Sequence, residues 1–299
     1  MNKEMDYETF MTDLMAELKG MMGKECSLFM DDIPIINGNV KHSLTIRCKD
    51  KEIAPCICMD GFYHDYVNGY LEMAEIAEMT ASIYKRETEH DDLDTDFIKD
   101  WESARKKIRF RLVNTERNTG MLKGMPYREF LDLSLVYDVP VSIPDHIDGM
   151  AHIHDRLLKC WDVDEEDLYR AAMENMTDTE LRSMGEMIGA LWDGKKTENM
   201  DGAACGMYVL TNRDRLYGAA CMLDMEMMQK AADGFGCDLW ILPSSIHELI
   251  LIPQQEMFHV KDLAGMVKEI NDTELRPDEF LSNHVYQYSR ETGKISIAA

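Results

Sequence analysis

Several things are missing from this sequence, and each absence removes a class of function. No run approaches the ~20 consecutive apolar residues that cross a bilayer, so no transmembrane helix is expected. An export leader needs a basic start and an unbroken apolar stretch. The opening "MNKEMDYETFMTDLMAELKGMM" is instead acidic and amphipathic, with Phe10, Leu14 and Leu18 recurring as on one helix face. These two absences point to the cytoplasm, with eight cysteines reduced and no structural disulfide. Positive charge is scarce: 32 Lys and Arg stand against 56 Asp and Glu, a formal charge of −24. Such a field repels nucleic acid and anionic membranes, so direct binding to either is not expected. Glycine-rich phosphate loops are absent too, since "GKKTEN" (Gly194 to Asn199) lacks the upstream glycine spacing. There is no Gly-x-Ser-x-Gly elbow, no internal repeat and no low-complexity segment.

What is present fits a soluble globular chain. It has 299 residues, 45% hydrophobic and 29% charged, enough for two modest domains or one elaborated one. Its 25 methionines, such as Met225, Met227 and Met228, are spread along the chain and read as flexible core filler. Residues 26–48 read as a hairpin turning at Asn37 to Asn39, followed by a short strand near Ile57 and a helix through Leu71, Ile76, Met79 and Ile83. Residues 88–100 form an acidic run, read as a solvated linker or as the acidic opening of the next helix. The basic "WESARKKIRFRLVN" after it reads as a helix answering those charges. Residues 131–161 look extended. Helices follow in "DVDEEDLYRAAMENM" and in "TDTELRSMGEMIGALW", where Thr177 and Glu180 stand at capping-box spacing. In the last third, "GMYVLTN", "CDLWILP" and "IHELILIP" read as strands and "RLYGAA" as a short extended piece. "CMLDMEMMQKAADGFG" reads as a helix closed by Gly234, "VKDLAGMVKEIND" as another, and the chain ends in a hairpin at Thr292-Gly293. Tight turns join most strands, so the expected fold is α+β, with mainly antiparallel sheets, packed helices and two lobes. The expected division is an N-terminal lobe over 1–90, a mixed helical segment over 91–200 and a C-terminal lobe over 201–299.

"YVLTN", "YGAACML", "LPSSIHELILIP" and "LSNHVYQY", in this order, together with the N-terminal "CICMDGFYHDYVNGY", resemble a family of uncharacterised proteins of about 300 residues. That family is a domain of unknown function from anaerobic Gram-positive gut bacteria. The resemblance implies a bacterial cytoplasmic protein, sometimes encoded near mobile elements. It supplies no activity, ligand or catalytic residue.

The most suggestive segment is "PSSIHE". Ser245, His247 and Glu248 are the residue types of nucleophilic catalysis, but triad members usually converge from distant segments. On a strand beginning at Ile246, His247 would share a face with Leu249 and Leu251, so the favoured reading is a hairpin turn with a structural histidine. Cys205 and Cys221 are further candidates; Cys221 at a helix start would gain thiolate character, but the favoured reading is a small buried thiol in the tightly packed "GAAC". His152 and His154 in "AHIHD" would point the same way on a strand, but the rest of a metal-ligand pattern is missing. Cys56 and Cys58 lack a second cysteine pair at zinc spacing and read as small core residues. No cofactor and no stoichiometric metal is expected.

The leading expectation is therefore a non-enzymatic, acidic binding or regulatory protein whose partner has a basic face, such as a DNA-binding protein. The alternative is a hydrolase-like enzyme that gathers Asn212, Tyr217, Ser245, His247 and Glu248 between the C-terminal strands.

Overall fold

A computed structural model of the chain describes residues 6–23, 25–34, 36–38, 40–49, 54–89, 96–141, 149–185, 206–254 and 258–299. It is an α+β fold divided into two compact units, and among the described residues every paired strand is antiparallel. Unit 1 comprises residues 1–35, 39–94 and 142–148; unit 2 comprises residues 36–38, 95–141 and 149–299.

Unit 1 is a three-stranded sheet backed by helices. Asp6 caps α1 (Tyr7–Met22) by accepting a hydrogen bond from the Thr9 N–H. The hairpin β1 (Cys26–Pro34) and β2 (Val40–Cys48) comes next, with β3 (Cys56–Cys58) on the far side of β2. Then come α2 (Asp60–Val67), which the sequence reading missed, and α3 (Met73–Glu89). Phe10, Leu14 and Leu18 of α1 are fully buried with Leu44, Ile46 and Ile76, so the four-residue repeat seen in sequence is the core face.

Two cysteine expectations fail here. Cys26 and Cys48 are direct cross-strand partners, their Cα atoms 4.0 Å apart, and they form a disulfide. Their separation along the chain hid a pairing that the hairpin register creates. Cys56 and Cys58 are exposed rather than core, because only Ile57 of β3 turns inward.

Unit 2 has two sheets. The first holds β4 (Arg109–Asn114), β5 (Tyr127–Phe130), β6 (Leu133–Val141) and β7 (Gly149–His152), with β6 central. The second is six-stranded: β8 (Thr179–Ser183), β9 (Tyr208–Asn212), β10 (Leu239–Pro243), β11 (Leu249–Pro253), β12 (Tyr286–Ser289) and β13 (Lys294–Ile297), ordered β13-β12-β10-β11-β9-β8. Short helices α4 (Asp96–Lys99) and α5 (Trp101–Ala104) lead in, and α6 (Asp155–Trp161) and α7 (Glu165–Glu174) follow β7. In the last third, α8 (Met225–Phe235) precedes β10 and α9 (Val260–Thr273) follows β11.

Leu249 and Leu251 of β11 enter the main core, whereas Ile252 packs with Leu263 and Val267 of α9. The second sheet is thus covered on both faces, which explains its unbroken apolar strands. Three local expectations are corrected. "RFRLVN" is strand β4, not helix, because it pairs along β6 from Arg109↔Asp138 to Asn114↔Leu133. Thr179–Ser183 is strand β8, not a capped helix; pairing with β9 overrides the local signal. "RLYGAA" is not an extended piece: its last three residues open a buried 3-10 helix, Gly218–Leu223. The acidic segment 90–95 and the "GKKTEN" segment lie outside the described residues.

Candidate functional site

The "PSSIHE" segment is the connection of the β10–β11 hairpin, closed by the Pro243↔Leu249 pair. β11 begins at Leu249, so His247 lies in the turn and not on the strand. The Ser245 Oγ accepts a hydrogen bond from the His247 N–H at 3.0 Å, and the Ser245 N–H donates to the Glu248 carbonyl at 3.2 Å. The Glu248 carboxylate accepts from the Ser244 hydroxyl at 3.5 Å. Serine, histidine and glutamate therefore follow one another round a turn; they do not converge as a triad does.

The His247 ring is engaged elsewhere. Its Nδ1 accepts a hydrogen bond from the Tyr217 N–H at 3.1 Å, and its ring stacks on Tyr217 with centroids 5.4 Å apart and planes 18° from parallel. An accepting Nδ1 puts the proton of the neutral ring on Nε2. Burial holds the His247 pKa below its ordinary value, and the Arg276 charge lowers it further against the opposing carboxylates of Glu279, Glu248 and Asp278.

Tyr217 is presented by a tightly built loop. The Asn212 side chain donates to the Leu216 carbonyl at 2.8 Å and accepts from the Leu216 N–H at 3.1 Å. Held this way, Tyr217 adopts φ 55°, a left-handed conformation that costs a non-glycine residue energy. The next residue must be glycine: a Cβ at Gly218 would stand 2.6 Å from the His247 carbonyl and 2.8 Å from the Asn212 nitrogen. Thr211 completes the junction, its hydroxyl donating to the His247 carbonyl at 2.8 Å. Asn212, Tyr217 and His247 are thus brought together, with Ser245 and Glu248 just beyond. Cys221 sits inside the buried 3-10 helix rather than at a helix start, and burial pushes its thiol up to about 12. It is a neutral thiol, not a thiolate. Cys205 lies outside the described residues.

Beside this loop lies a small cleft, partly open to solvent, with about 40 Å³ of room for water-sized groups, lined among others by Arg109, Met150, Asn175, Asp178, Tyr217 and Cys221. Arg109 is paired with Asp214 at 2.6 Å, and the Asn175 amide donates to the carbonyls of Arg105 and Ile108. The lining is apolar with a few polar groups, as small-ligand sites usually are.

Asp138 and Arg111, which the sequence reading did not select, meet His152, which it weighed only as a metal ligand, around a buried ion pair in unit 2. Asp138 is fully buried on the central strand β6. Its Oδ2 lies 3.0 Å from Nε of the buried Arg111 as an ion pair, and its Oδ1 lies 2.6 Å from His152 Nδ1. A contact that short needs a proton between the atoms, so His152 Nδ1–H donates to the carboxylate. In the neutral ring Nε2 then keeps its lone pair, on a side chain that is 41% exposed. Arg111 continues the chain, with its guanidinium carbon 5.1 Å from the Tyr217 ring centroid. The pairings Arg109↔Asp138 and Asp138↔His152 set Arg109, Asp138 and His152 in one row across the sheet, and Arg111 and Met150 lie on the same face two residues along their strands. The signal was present as one acid inside the apolar strand "LSLVYDVPV". His154 does not join His152, because β7 ends at His152 and His154 caps α6.

Among the described residues, no group of three or more His, Cys, Asp or Glu is placed to hold a metal ion, and no helix is long and apolar enough to cross a membrane. A family model described as a family of unknown function (DUF5688) matches residues 7–290. Neither a curated protein nor a solved structure matches the chain.

Proposed function

Because the chain belongs to DUF5688, a family of unknown function, its role has to be read from its own side chains, and we propose that it is a non-enzymatic binding or regulatory protein that engages a partner with a basic face. The observation that carries this is the Tyr217–His247 interlock. His247 Nδ1 is spent on a backbone N–H, Ser245 Oγ on another, and the Cys221 thiol is neutral and buried. The groups that would do covalent chemistry are instead building a rigid loop beside a cleft. The −24 charge attracts basic surfaces and speeds their encounter, which suits a DNA-binding protein as partner. The cytoplasm is the compartment we infer from the sequence, and the Cys26–Cys48 disulfide is the one observation against a constantly reducing one. Salt is the test. Partners captured from a lysate at low ionic strength should elute as screening shortens toward about 8 Å. Changing Asp91, Asp92, Asp94 and Asp96 to Asn should weaken capture; binding indifferent to salt removes the electrostatic reading.

One observation favours a second reading, a hydrolase-like enzyme that uses His152 in place of Ser245, His247 and Glu248. A buried carboxylate holding Nδ1 with Nε2 free is the arrangement of a general base. In that reading Nε2 takes a proton from water as the oxygen adds to an ester carbonyl, and the tetrahedral intermediate collapses by breaking the C–O bond to the leaving alcohol, which receives the proton back from Nε2. p-Nitrophenyl acetate is a sufficient probe. Hydrolysis above buffer background that disappears in His152→Gln, and survives in His247→Gln, supports it; equal rates in all three proteins end it.

A further inference from the structure

The exposed pair Cys56 and Cys58 has no part in either reading. Both thiols lie on β3, an edge strand of the unit 1 sheet, and both face solvent. Their register partners are Thr45 and Ser43, so the two thiols share the sheet face that also carries Asp31 and Phe29. Consecutive positions on one strand face are about 6.7 Å apart. A disulfide needs Cβ atoms about 3.5–4.5 Å apart, so the pair cannot close on itself without bending the strand. Two thiols that project from the same sheet face can instead reach one ion between them.

We propose that Cys56 and Cys58 form a surface site for one soft, two-coordinate cation, Cu(I). Thiolate sulfur is a soft donor and selects such ions. The ligand count adds a second restriction. No third His, Cys, Asp or Glu is placed to complete a site among the described residues, so an ion that demands four ligands, such as Zn²⁺, is poorly served. The surroundings suit the chemistry. The Thr45 hydroxyl lies 3.3 Å from Cys56 Sγ and 2.6 Å from an Asp31 oxygen, so its proton can turn from the carboxylate to a thiolate. The Cys58 thiol donates to Asp60 Oδ2 at 3.4 Å; that carboxylate opposes the bare thiolate, and a bound cation between them offsets the repulsion. Binding exchanges two thiol protons for one Cu(I), leaves a bis-thiolate of charge −1, and changes no oxidation state. Affinity therefore falls as pH falls. The proposal reverses the expectation from sequence that the chain holds no metal.

The test is an anaerobic titration of Cu(I), kept reduced by ascorbate, against the chromogenic chelator bicinchoninate. Ascorbate leaves the Cys26–Cys48 disulfide intact. The full chain should withhold one copper equivalent from the chelator, and Cys160→Ser, which removes another exposed thiol, should withhold the same. Cys56→Ser and Cys58→Ser should each lose the step, and so should the double variant, with melting curves unchanged because both side chains are exposed. Zn²⁺ offered with a zinc dye should not be withheld. A double variant that keeps the copper step, or a wild-type chain that shows none, overturns the site. A site that holds zinc as firmly as copper overturns the two-coordinate assignment.

Discussion

Gly218→Ala tests the loop that presents Tyr217. The added methyl would stand 2.6 Å from the His247 carbonyl and 2.8 Å from the Asn212 nitrogen, both backbone atoms, with the Thr211 hydroxyl also in its way. Overpacking of this kind costs about 1–3 kcal/mol. Thr211 must also swing aside and give up its bond to the His247 carbonyl, about 1 kcal/mol more. A total near 3 kcal/mol, at about 2–4 °C per kcal/mol for a unit of this size, lowers the melting temperature by roughly 6–12 °C. Gly234→Ala is the control. It lies in α8 with nothing within 4 Å of a Cβ, so alanine should be neutral or stabilising by up to about 1 kcal/mol. Adding Thr211→Ala to Gly218→Ala should recover little, because the two backbone contacts remain. Thermal and urea melts of the four proteins decide the matter. A Gly218→Ala protein melting within about 2 °C of wild type refutes the claim that the junction is full.

Four further outcomes are expected. His247→Ala should lose about 1–3 kcal/mol by orphaning the Tyr217 N–H, and a wild-type melt would show that the interlock carries no stability. Since the folded pKa of His247 is depressed, its share of stability is complete above the unfolded value of about 6.5 and declines as pH drops below it; urea midpoints from pH 8 to 5 should slope less in His247→Gln, and an identical slope rules His247 out as the source. Asp138→Asn leaves Arg111 buried without its counter-charge and should cost about 3–5 kcal/mol, most of it regained in the Asp138→Asn/Arg111→Met double variant; a cost near zero in the single would mean that the pair is solvated. Thiol labelling of denatured, unreduced protein should find at least two fewer thiols than the eight cysteines, and eight reactive thiols would show that the disulfide is not formed.

The α+β class, the β1–β2 and β10–β11 hairpins and the α9 helix could be read from periodicity and turn residues, because each is specified within about a dozen neighbours. What escaped was specified at long range. "RFRLVN" has helical company to its left, and only β6 makes it a strand. Thr177 and Glu180 form a sound local capping signal that β9 overrules. At the site, Asn212 and Tyr217 stood out by residue type. The part played by His247 depends on a backbone N–H thirty residues away, which no spacing rule encodes. Asp138 was hidden because a buried acid announces itself only once its partners Arg111 and His152 are seen on neighbouring strands.

The three-residue turn Ile36–Gly38 belongs to unit 2 although both its flanking strands belong to unit 1. Asn37 donates to the carbonyls of Pro277 and Phe280, and its backbone N–H and side-chain oxygen are both met by Asn118. Order of synthesis and order of completion therefore disagree. The turn leaves the ribosome early and waits for a segment close to the end of the chain before its bonds can form. Unit 1 can bury Phe10, Leu14 and Leu44 in the meantime, while the turn stays unsatisfied. A gene cut near residue 95 would not separate two self-sufficient products: the downstream piece would lack the asparagine that three of its own groups are built to receive, and adding the upstream piece back in trans should restore what the cut removed.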